Sequence, residues 1–232
     1  MNMQATAVCS APTMAEAGKS LLVVDDHPVF RHGICQFLLQ LSDFRICAEA
    51  ANAQKALEAM RLHQPDMVLL DVSLPGTNGI ELIKHMLAEQ PALIILILSM
   101  YDESLYALRA LRAGAKGYVM KQQAMENILD ALKKVSRGGI YVSPRFSEKL
   151  IFKTIAGAAN GLGSPVEKLS DRQLEVLQLF GRNKTTREIS EMLNLSAKTI
   201  ETHRSHIKEK LGLKDAEELM DFALEWMTTQ EG

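Results

Sequence analysis

Two hydrophobic periods take turns along the first 140 residues. Short, nearly unbroken apolar runs occur at 21–24, 44–50, 67–70, 94–98 and 117–120. Runs of that length, bounded by turn residues, predict strands buried on both faces, as in a parallel sheet. Between and after them the apolar residues recur at helical spacing. Phe30, Ile34, Phe37, Leu38 and Leu41 share one face of a first helix, and Ala53, Ala56, Leu57 and Met60 one face of a second. Met125, Ile128, Leu129, Leu132 and Val135 do the same in a fifth. Strands and helices alternating over short loops imply parallel pairing through right-handed crossovers. Five strands in about 120 residues predict a flavodoxin-like, doubly wound α/β sheet.

Beyond Gly138-Gly139 the pattern changes. Glycine readily takes the left-handed conformation that ends a helix, so this pair closes the α/β unit. A short helix is expected at 144–155, and residues 156–165 (AGAANGLGSP) have the composition of a flexible linker. From Leu169 onward the periodicity is helical throughout, broken near Asn183, Asn194 and Gly212. The expected organisation is a disordered tail at 1–19, an α/β domain at 20–140, a linker at 141–167 and a small all-α domain at 168–232.

Composition narrows the classes. At 232 residues, 47% hydrophobic and 23% charged, the chain suits two soluble domains, each with its own core. No apolar stretch approaches the ~20 residues that span a bilayer, so no membrane partner is expected. The tail lacks the cationic start and apolar core of a secretory signal. Cys9, Cys35 and Cys47 are odd in number and widely spaced, which argues against a disulfide framework or metal cluster and fits a reducing cytoplasm. Net charge is −2, but unevenly placed. Residues 172–214 carry nine Lys/Arg against five Glu, whereas 215–232 carry six acids and no base. One basic element in a neutral protein hints at nucleic acid.

The chemistry gathers where strands end. Asp25 and Asp26 follow the first strand and Asp71 the third, and those strands are neighbours in a doubly wound sheet. Open α/β sheets place their ligands at that carboxyl edge. Three carboxylates packed together repel unless a cation joins them, and hard oxygen ligands favour Mg²⁺. Ser99 adds a hydroxyl at the end of the fourth strand and Lys121 a cation at the end of the fifth. A metal, a hydroxyl and a lysine can stabilise the equatorial oxygens of a transferring phosphoryl group. Each residue alone has a plainer role: Asp25-Asp26 as a helix cap before Pro28, Ser99 as a turn residue, Lys121 as a solvated charge. Their convergence on Asp71 favours a phosphoryl acceptor.

Asp25-Asp26-His27-Pro28, the strand ending in Asp71, Pro75-Gly76 with Gly79, Ser99, and Gly114-Ala115-Lys116-Gly117-Tyr118 before Lys121 together resemble a two-component receiver domain over about 20–137. The resemblance implies that Asp71 takes a phosphoryl group from a sensor histidine kinase. Asp26 and Asp71, with the Ser73 main-chain carbonyl, would hold Mg²⁺, and Asp25 would assist through water. Lys121 would contact the phosphoryl group, and Ser99 would reach it after a small shift. Tyr118 occupies the position of the family's switch aromatic, whose rotamer follows that shift; on composition alone it is a β-favoured strand residue. His27 reads as a helix-start residue rather than a base, and Asp102 and Glu103 as the start of the fourth helix.

In the all-α part, Asp171 can cap a helix carrying Leu174, Val176, Leu177 and Phe180, with Asn183 as its left-handed end. A short helix at 185–193, a break at Asn194-Leu195 and a longer helix capped by Ser196 give the helix-turn-helix pattern. Ile200, Ile207 and Leu211 form the buried stripe of the second helix. Lys198, Thr199, Glu201, Thr202, Arg204, Ser205 and Lys208, with Thr186 from the first, are the candidate DNA contacts. A helical bundle with a charged, solvated face would show the same periodicity. The runs 169–177, 187–190, 198–204 and Lys210-Leu211-Gly212 resemble a LuxR-type DNA-binding domain, and the whole chain resembles the NarL/FixJ class of response regulators. That implies a transcription regulator rather than an enzyme. Its partners would be the kinase and double-stranded promoter DNA, with RNA polymerase as a further one, and it would form a homodimer when phosphorylated. Leu219, Phe222 and Ala223 on the last helix would pair the copies, or pack the core. Gln173, Asn183 and Glu201 depart from the family's common Glu, Gly and Lys. A magnesium-dependent phosphatase and a constitutive DNA-binding protein are the competing readings. The first usually needs an acid two residues past its nucleophile, where this chain has Ser73.

Overall fold

The computed structural model describes residues 18–123, 125–155 and 165–231. Five strands form one parallel sheet: β1 (Lys19–Val24), β2 (Phe44–Ala50), β3 (Met67–Leu70), β6 (Ile94–Ser99) and β7 (Gly117–Met120), in the order β2-β1-β3-β6-β7. The flavodoxin-like expectation holds, and β2, β3 and β7 have the predicted bounds. Lys19 is a correction. It belongs to β1 rather than the tail, because its N–H donates to the Asp43 carbonyl and it pairs in register with Phe44. Residues 1–17 of the expected tail and 156–164 of the expected linker lie outside the described residues.

Helices cover both sheet faces, as parallel strands require. Helices α1 (Pro28–Leu39) and α5 (Met125–Ser136) pack Ile34, Leu38, Ile128 and Leu132 against Leu21, Leu69 and Leu96. Helices α2 (Ala53–His63), α3 (Gly79–Glu89) and α4 (Glu103–Ala113) cover the other face with Ala56, Met60, Ile80, Ile83 and Tyr106. A two-residue pair, β4 (Ser73–Leu74) with β5 (Thr77–Asn78), turns through Pro75-Gly76 just beyond Asp71. Helix α6 (Pro144–Ile155) follows the sheet, as the spacing predicts.

The helical domain comprises a 3₁₀ turn (Pro165–Lys168), α7 (Asp171–Gly181), α8 (Thr186–Met192), α9 (Ala197–Leu211) and α10 (Ala216–Glu231). Ser170, not Asp171, caps α7. Its hydroxyl accepts from Gln173 N–H, and the Gln173 side chain accepts from Ser170 N–H, closing a capping box. Gln173 therefore does the capping work of the Glu it replaces. Asp171, displaced by one position, pairs with Arg109 of α4 at 2.9 Å. Asn183 and Asn194 take left-handed φ values of 58° and 50°, the predicted break points. Leu219 and Ala223 are buried in their own domain, where α10 packs on α7, and Phe222 is half-buried against the same core, which is the packing role also expected of this stripe. In this arrangement they stabilise the domain.

Candidate acidic site and helix-turn-helix surface

Main-chain ladder bonds continue one residue past the strands and so fix where the functional side chains start. Asp71 N–H donates to Val24 O at 2.9 Å, Asp25 N–H to Ala50 O at 3.0 Å, and Lys121 N–H to Ser99 O at 2.8 Å. Strand ends that remain hydrogen-bonded are rigid, which suits a site needing defined geometry. Behind Asp71 the chain comes unusually close. A Cβ on Gly79 would lie 2.5 Å from the Asp71 carbonyl oxygen, so any side chain there would push the acid out of place.

The predicted groups do converge. Ligand atoms from Asp25, Asp26, His27 and Asp71 all lie within 4.8 Å of one another. Lys121 Nζ sits 2.7 Å from both Asp25 Oδ2 and Asp71 Oδ2. One ammonium thus serves two of three carboxylates. Asp26 Oδ1 is buried and receives no hydrogen bond among the described residues, although His27 Nδ1 is 2.7 Å away. Asp71 is 1% exposed, and burial lifts its carboxyl to about 7, with Lys121 opposing and Asp25 adding to the rise. Ser73 N–H donates to Asp71 Oδ1 at 3.1 Å, while Asp25 Oδ1 accepts from His27 N–H at 2.9 Å. His27 itself is the N-cap of α1 and makes no side-chain cap, in keeping with the helix-start reading.

Ser99 is fully buried and accepts from Tyr101 N–H at 3.1 Å. Tyr118 is 0% exposed, and its hydroxyl donates to the Tyr101 carbonyl at 2.9 Å. The expected switch aromatic is therefore held inside the protein. Asp102 caps α4 through Ser104 N–H, as expected, but Glu103 turns inward, where its carboxylate accepts from Ser143 N–H at 2.7 Å.

The periodicity gave no sign of a seam between the two domains. Every residue of α7 from Arg172 to Phe180 is buried, polar ones included, because the α/β domain covers the face that looks solvated in sequence. Tyr101 Oη donates to Glu175 Oε1 at 3.1 Å and Tyr106 Oη to Gln178 Oε1 at 2.9 Å. The two tyrosine rings stack at 4.9 Å. Arg109 reaches the Leu169 and Val166 carbonyls as well as Asp171, and Gly76 N–H donates to Leu193 O. Arg172 holds Glu175 Oε2 at 2.6 Å, and Asn78 approaches it at 3.4 Å. Asn78 and Tyr101, each beside a recognised strand-end motif, were the signals available.

The helix-turn-helix surface stays open to solvent. Lys198, Glu201, Thr202 and Ser205 are exposed, and Thr199, Arg204 and Lys208 are half-buried. Four of these side chains are already engaged. Glu201 Oε1 accepts from Arg204 Nη1 and from Thr186 Oγ1, both at 2.9 Å, and the Arg204 guanidinium lies 5.0 Å from the Phe180 ring centre. Partial burial works to raise the Glu201 carboxyl, but those hydrogen bonds outweigh it and hold the group below its ordinary value. The Thr199 hydroxyl bonds to that of Ser196, and Thr202 Oγ1 donates back to the Lys198 carbonyl.

Similarity to known proteins follows the same division. The response regulator receiver domain family matches residues 21–133, and the luxR family of bacterial regulatory proteins matches 167–223. The oxygen regulatory protein NreC of Staphylococcus carnosus is 36% identical over 208 residues, covering 88% of this chain and 96% of that protein. RcsB of Salmonella enterica serovar Typhimurium, solved bound to the rprA promoter with the phosphomimetic BeF3-, superposes with a TM-score of 0.60 at 26% identity over 89% of this chain and 98% of that one. A LuxR-family two-component response regulator from Aurantimonas sp. SI85-9A1 gives 0.56 at 33% identity, over 60% of this chain and 99% of that one. Among the described residues no helix is long and apolar enough to cross a membrane.

Proposed function

Because this chain belongs to the response regulators that join a receiver to a LuxR-type DNA-binding domain, we propose that Asp71 is its phosphoryl acceptor and that acylphosphate formation there alters promoter binding by α8 and α9. The observation that carries this reading is the buried Asp71 carboxylate, with two acids beside it and Lys121 Nζ at 2.7 Å. An Asp71 oxygen bonds to phosphorus while the phosphorus–nitrogen bond to the histidine of a sensor kinase breaks. The proton that neutralises the departing imidazole comes from solvent. Lys121 shifts from carboxylate to phosphoryl oxygen, and the Ser99 hydroxyl turns toward the same group.

The donor set fits Mg²⁺: three carboxylates supply hard oxygen ligands and outnumber the one ammonium paired with them, and a buried Asp26 oxygen has no hydrogen bond among the described residues. Asp25, Asp26 and Asp71, with the Ser73 main chain, would hold the ion. Once bound, it supplies charge that neutralises the phosphoryl oxygens and the acids together. The product is a modified regulator rather than a released molecule, and Ser73 stands where a phosphatase of this chemistry would carry its second acid. The reading places the protein in the cytoplasm. It also implies a phosphorylated homodimer on paired half-sites about one helical turn apart, with RNA polymerase as a further contact. Promoter complexes of the RcsB relative support the DNA side of this reading.

Incubation with Mg²⁺ and acetyl phosphate should add one phosphoryl mass to the wild-type protein and none to Asp71→Asn. Equal incorporation in both would exclude Asp71 as the acceptor.

A further inference from the structure

Phosphorylation at one strand end has to reach a DNA-binding surface on another domain. Resting on the Asp71 reading, we infer that Tyr101, not Tyr118, carries that signal across the domain seam. Tyr101 is the residue that touches every part concerned. Its N–H donates to Ser99 Oγ at 3.1 Å, its carbonyl accepts from Tyr118 Oη at 2.9 Å, and its own hydroxyl donates to Glu175 of α7 at 3.1 Å. One residue therefore reads the phosphoryl-sensing hydroxyl with its main chain and holds the DNA-binding domain with its side chain.

Tyr118 is placed differently. Its ring is wholly buried, and its hydroxyl is tied to a main-chain carbonyl of the receiver. Swinging it outward would empty a packed site and orphan that hydroxyl. A shift of Ser99 toward a phosphoryl oxygen needs no such swing. It changes the anchor of the Tyr101 main chain, two residues along, and the Tyr101 ring and hydroxyl move with it. A hydrogen bond near 3 Å to a buried carboxylate is steep enough in distance and angle for a sub-ångström displacement to weaken it. Beyond Glu175 lies Arg172, which also holds the Leu193 carbonyl at 3.1 Å, at the start of the turn between α8 and α9. The chain of contacts thus runs Ser99, Tyr101, Glu175, Arg172, and ends beside the helix-turn-helix.

Tyr106 provides the control. It makes a comparable seam bond, to Gln178 at 2.9 Å, but among the described residues it has no hydrogen bond to Ser99 or Tyr118. A purely structural role for these hydroxyls predicts the same behaviour from Tyr101→Phe and Tyr106→Phe; a relay separates them. Amide exchange in α7 (Asp171–Gly181) of the full chain, with and without Mg²⁺ and acetyl phosphate, measures how tightly that helix is docked. Each substitution should speed basal exchange by up to about tenfold, the loss of one hydrogen bond to the seam. In Tyr106→Phe, phosphorylation should still change the exchange rate by the wild-type factor. In Tyr101→Phe that factor should fall to within twofold of one, with phosphate on Asp71 verified by intact mass. Phosphate on Asp71 with an undiminished factor in Tyr101→Phe overturns the inference and leaves the phosphoacceptor reading standing. Absence of phosphate on wild-type Asp71 overturns both. Loss of the response in Tyr118→Phe, with Tyr101→Phe responding normally, would return the role to Tyr118.

Discussion

Two buried acidic sites lie on either side of Tyr101, and they are built on opposite plans. At the strand ends, Asp25 and Asp71 share one lysine, and a buried oxygen of Asp26 beside them has no hydrogen bond among the described residues. At the domain seam, Glu175 stands alone, 0% exposed, with Arg172, Tyr101 and Asn78 all directed at its two oxygens. Burying a charge is expensive unless partners replace the lost water. The seam supplies those partners within the protein, so it acts as a fastener. The strand-end site leaves the replacement incomplete, which on the proposed reading is what a cation and a phosphoryl group complete. Satisfied acids hold structure together; under-satisfied ones bind ligands.

Removing the single cation from the acidic site tests this most severely. Lys121→Met leaves three acids with no ammonium and takes away a donor to the phosphoryl oxygens. Phosphate incorporation from acetyl phosphate should slow by about 10²–10³, or ~3–4 kcal/mol of barrier. A rate within fivefold of wild type would show that Lys121 is a bystander.

At the seam the corresponding change is Arg172→Met, which strips Glu175 of its cation and should weaken docking by about 3 kcal/mol near neutral pH. The sign follows from linkage. Burial already lifts the docked Glu175 carboxyl above its ordinary 4.5, with Arg172 the first of the opposing influences. Without Arg172 the docked value rises further. The penalty is then absent below the undocked value near 4.5, accumulates as pH climbs toward the docked value, and is complete above it. Exchange of α7 amides in the variant should accelerate with pH over that window beyond its intrinsic dependence, and wild type should do so less.

The strand-end site should respond to neutralisation with the opposite sign. Burial raises Asp71 from 3.8 to about 7, which at pH 8 opposes folding by about 4 kcal/mol in the metal-free protein. Asp71→Asn removes that penalty and loses the hydrogen bond from Lys121, worth about 2 kcal/mol, for a net gain near 2. The melting temperature of metal-free protein should rise by about 5 °C at pH 8. The gain should shrink as pH falls through 7, reach zero near pH 5 and become a loss of about 2 kcal/mol below about pH 3, where Asp71 is protonated folded or unfolded and only the lost hydrogen bond counts. A gain of equal size at pH 4 and pH 8 would mean that charge burial is not its origin.

The two sites were unequally legible in the sequence. Asp25, Asp71, Ser99 and Lys121 were readable because apolar runs of four to seven residues mark strand ends, and a parallel sheet brings those ends to one edge. Local pattern fixes the position, and topology does the rest. The seam depends on which polar surface residues of one domain meet which of the other, and periodicity carries no information about that. Glu175 and Gln178 are polar positions that an amphipathic helix would turn to water, yet α7 is enclosed. The cap moved from Asp171 to Ser170 for a related reason: Gln173 completes the capping box with Ser170, while Asp171 is engaged by Arg109 from the other domain. Leu219 and Ala223 show the same ambiguity in reverse, since an apolar stripe looks alike whether a second copy or its own core covers it.

Glu201 extends the comparison to the surface, where a carboxylate satisfied by two donors costs little to remove. Its side chain is 55% exposed, and its ion pair with Arg204 contributes under about 1 kcal/mol to stability. Its effect on DNA should be larger, because here the same hydrogen bonds work against function. Arg204 Nη1 is held by Glu201 at 2.9 Å, and the acid adds its own repulsion toward phosphate. Glu201→Lys removes one negative charge, adds a positive one and releases Arg204, so up to two further phosphates can be neutralised. Affinity for a 20-base-pair duplex of arbitrary sequence should rise about tenfold near 0.1 M salt, and the slope of log K against log salt should steepen by about one to two. Discrimination between promoter and random duplex should fall, since phosphate contacts carry no sequence information. An unchanged salt slope would place Glu201 away from the DNA backbone, and its pairing with Arg204 and Thr186 would then be structural like that of Glu175.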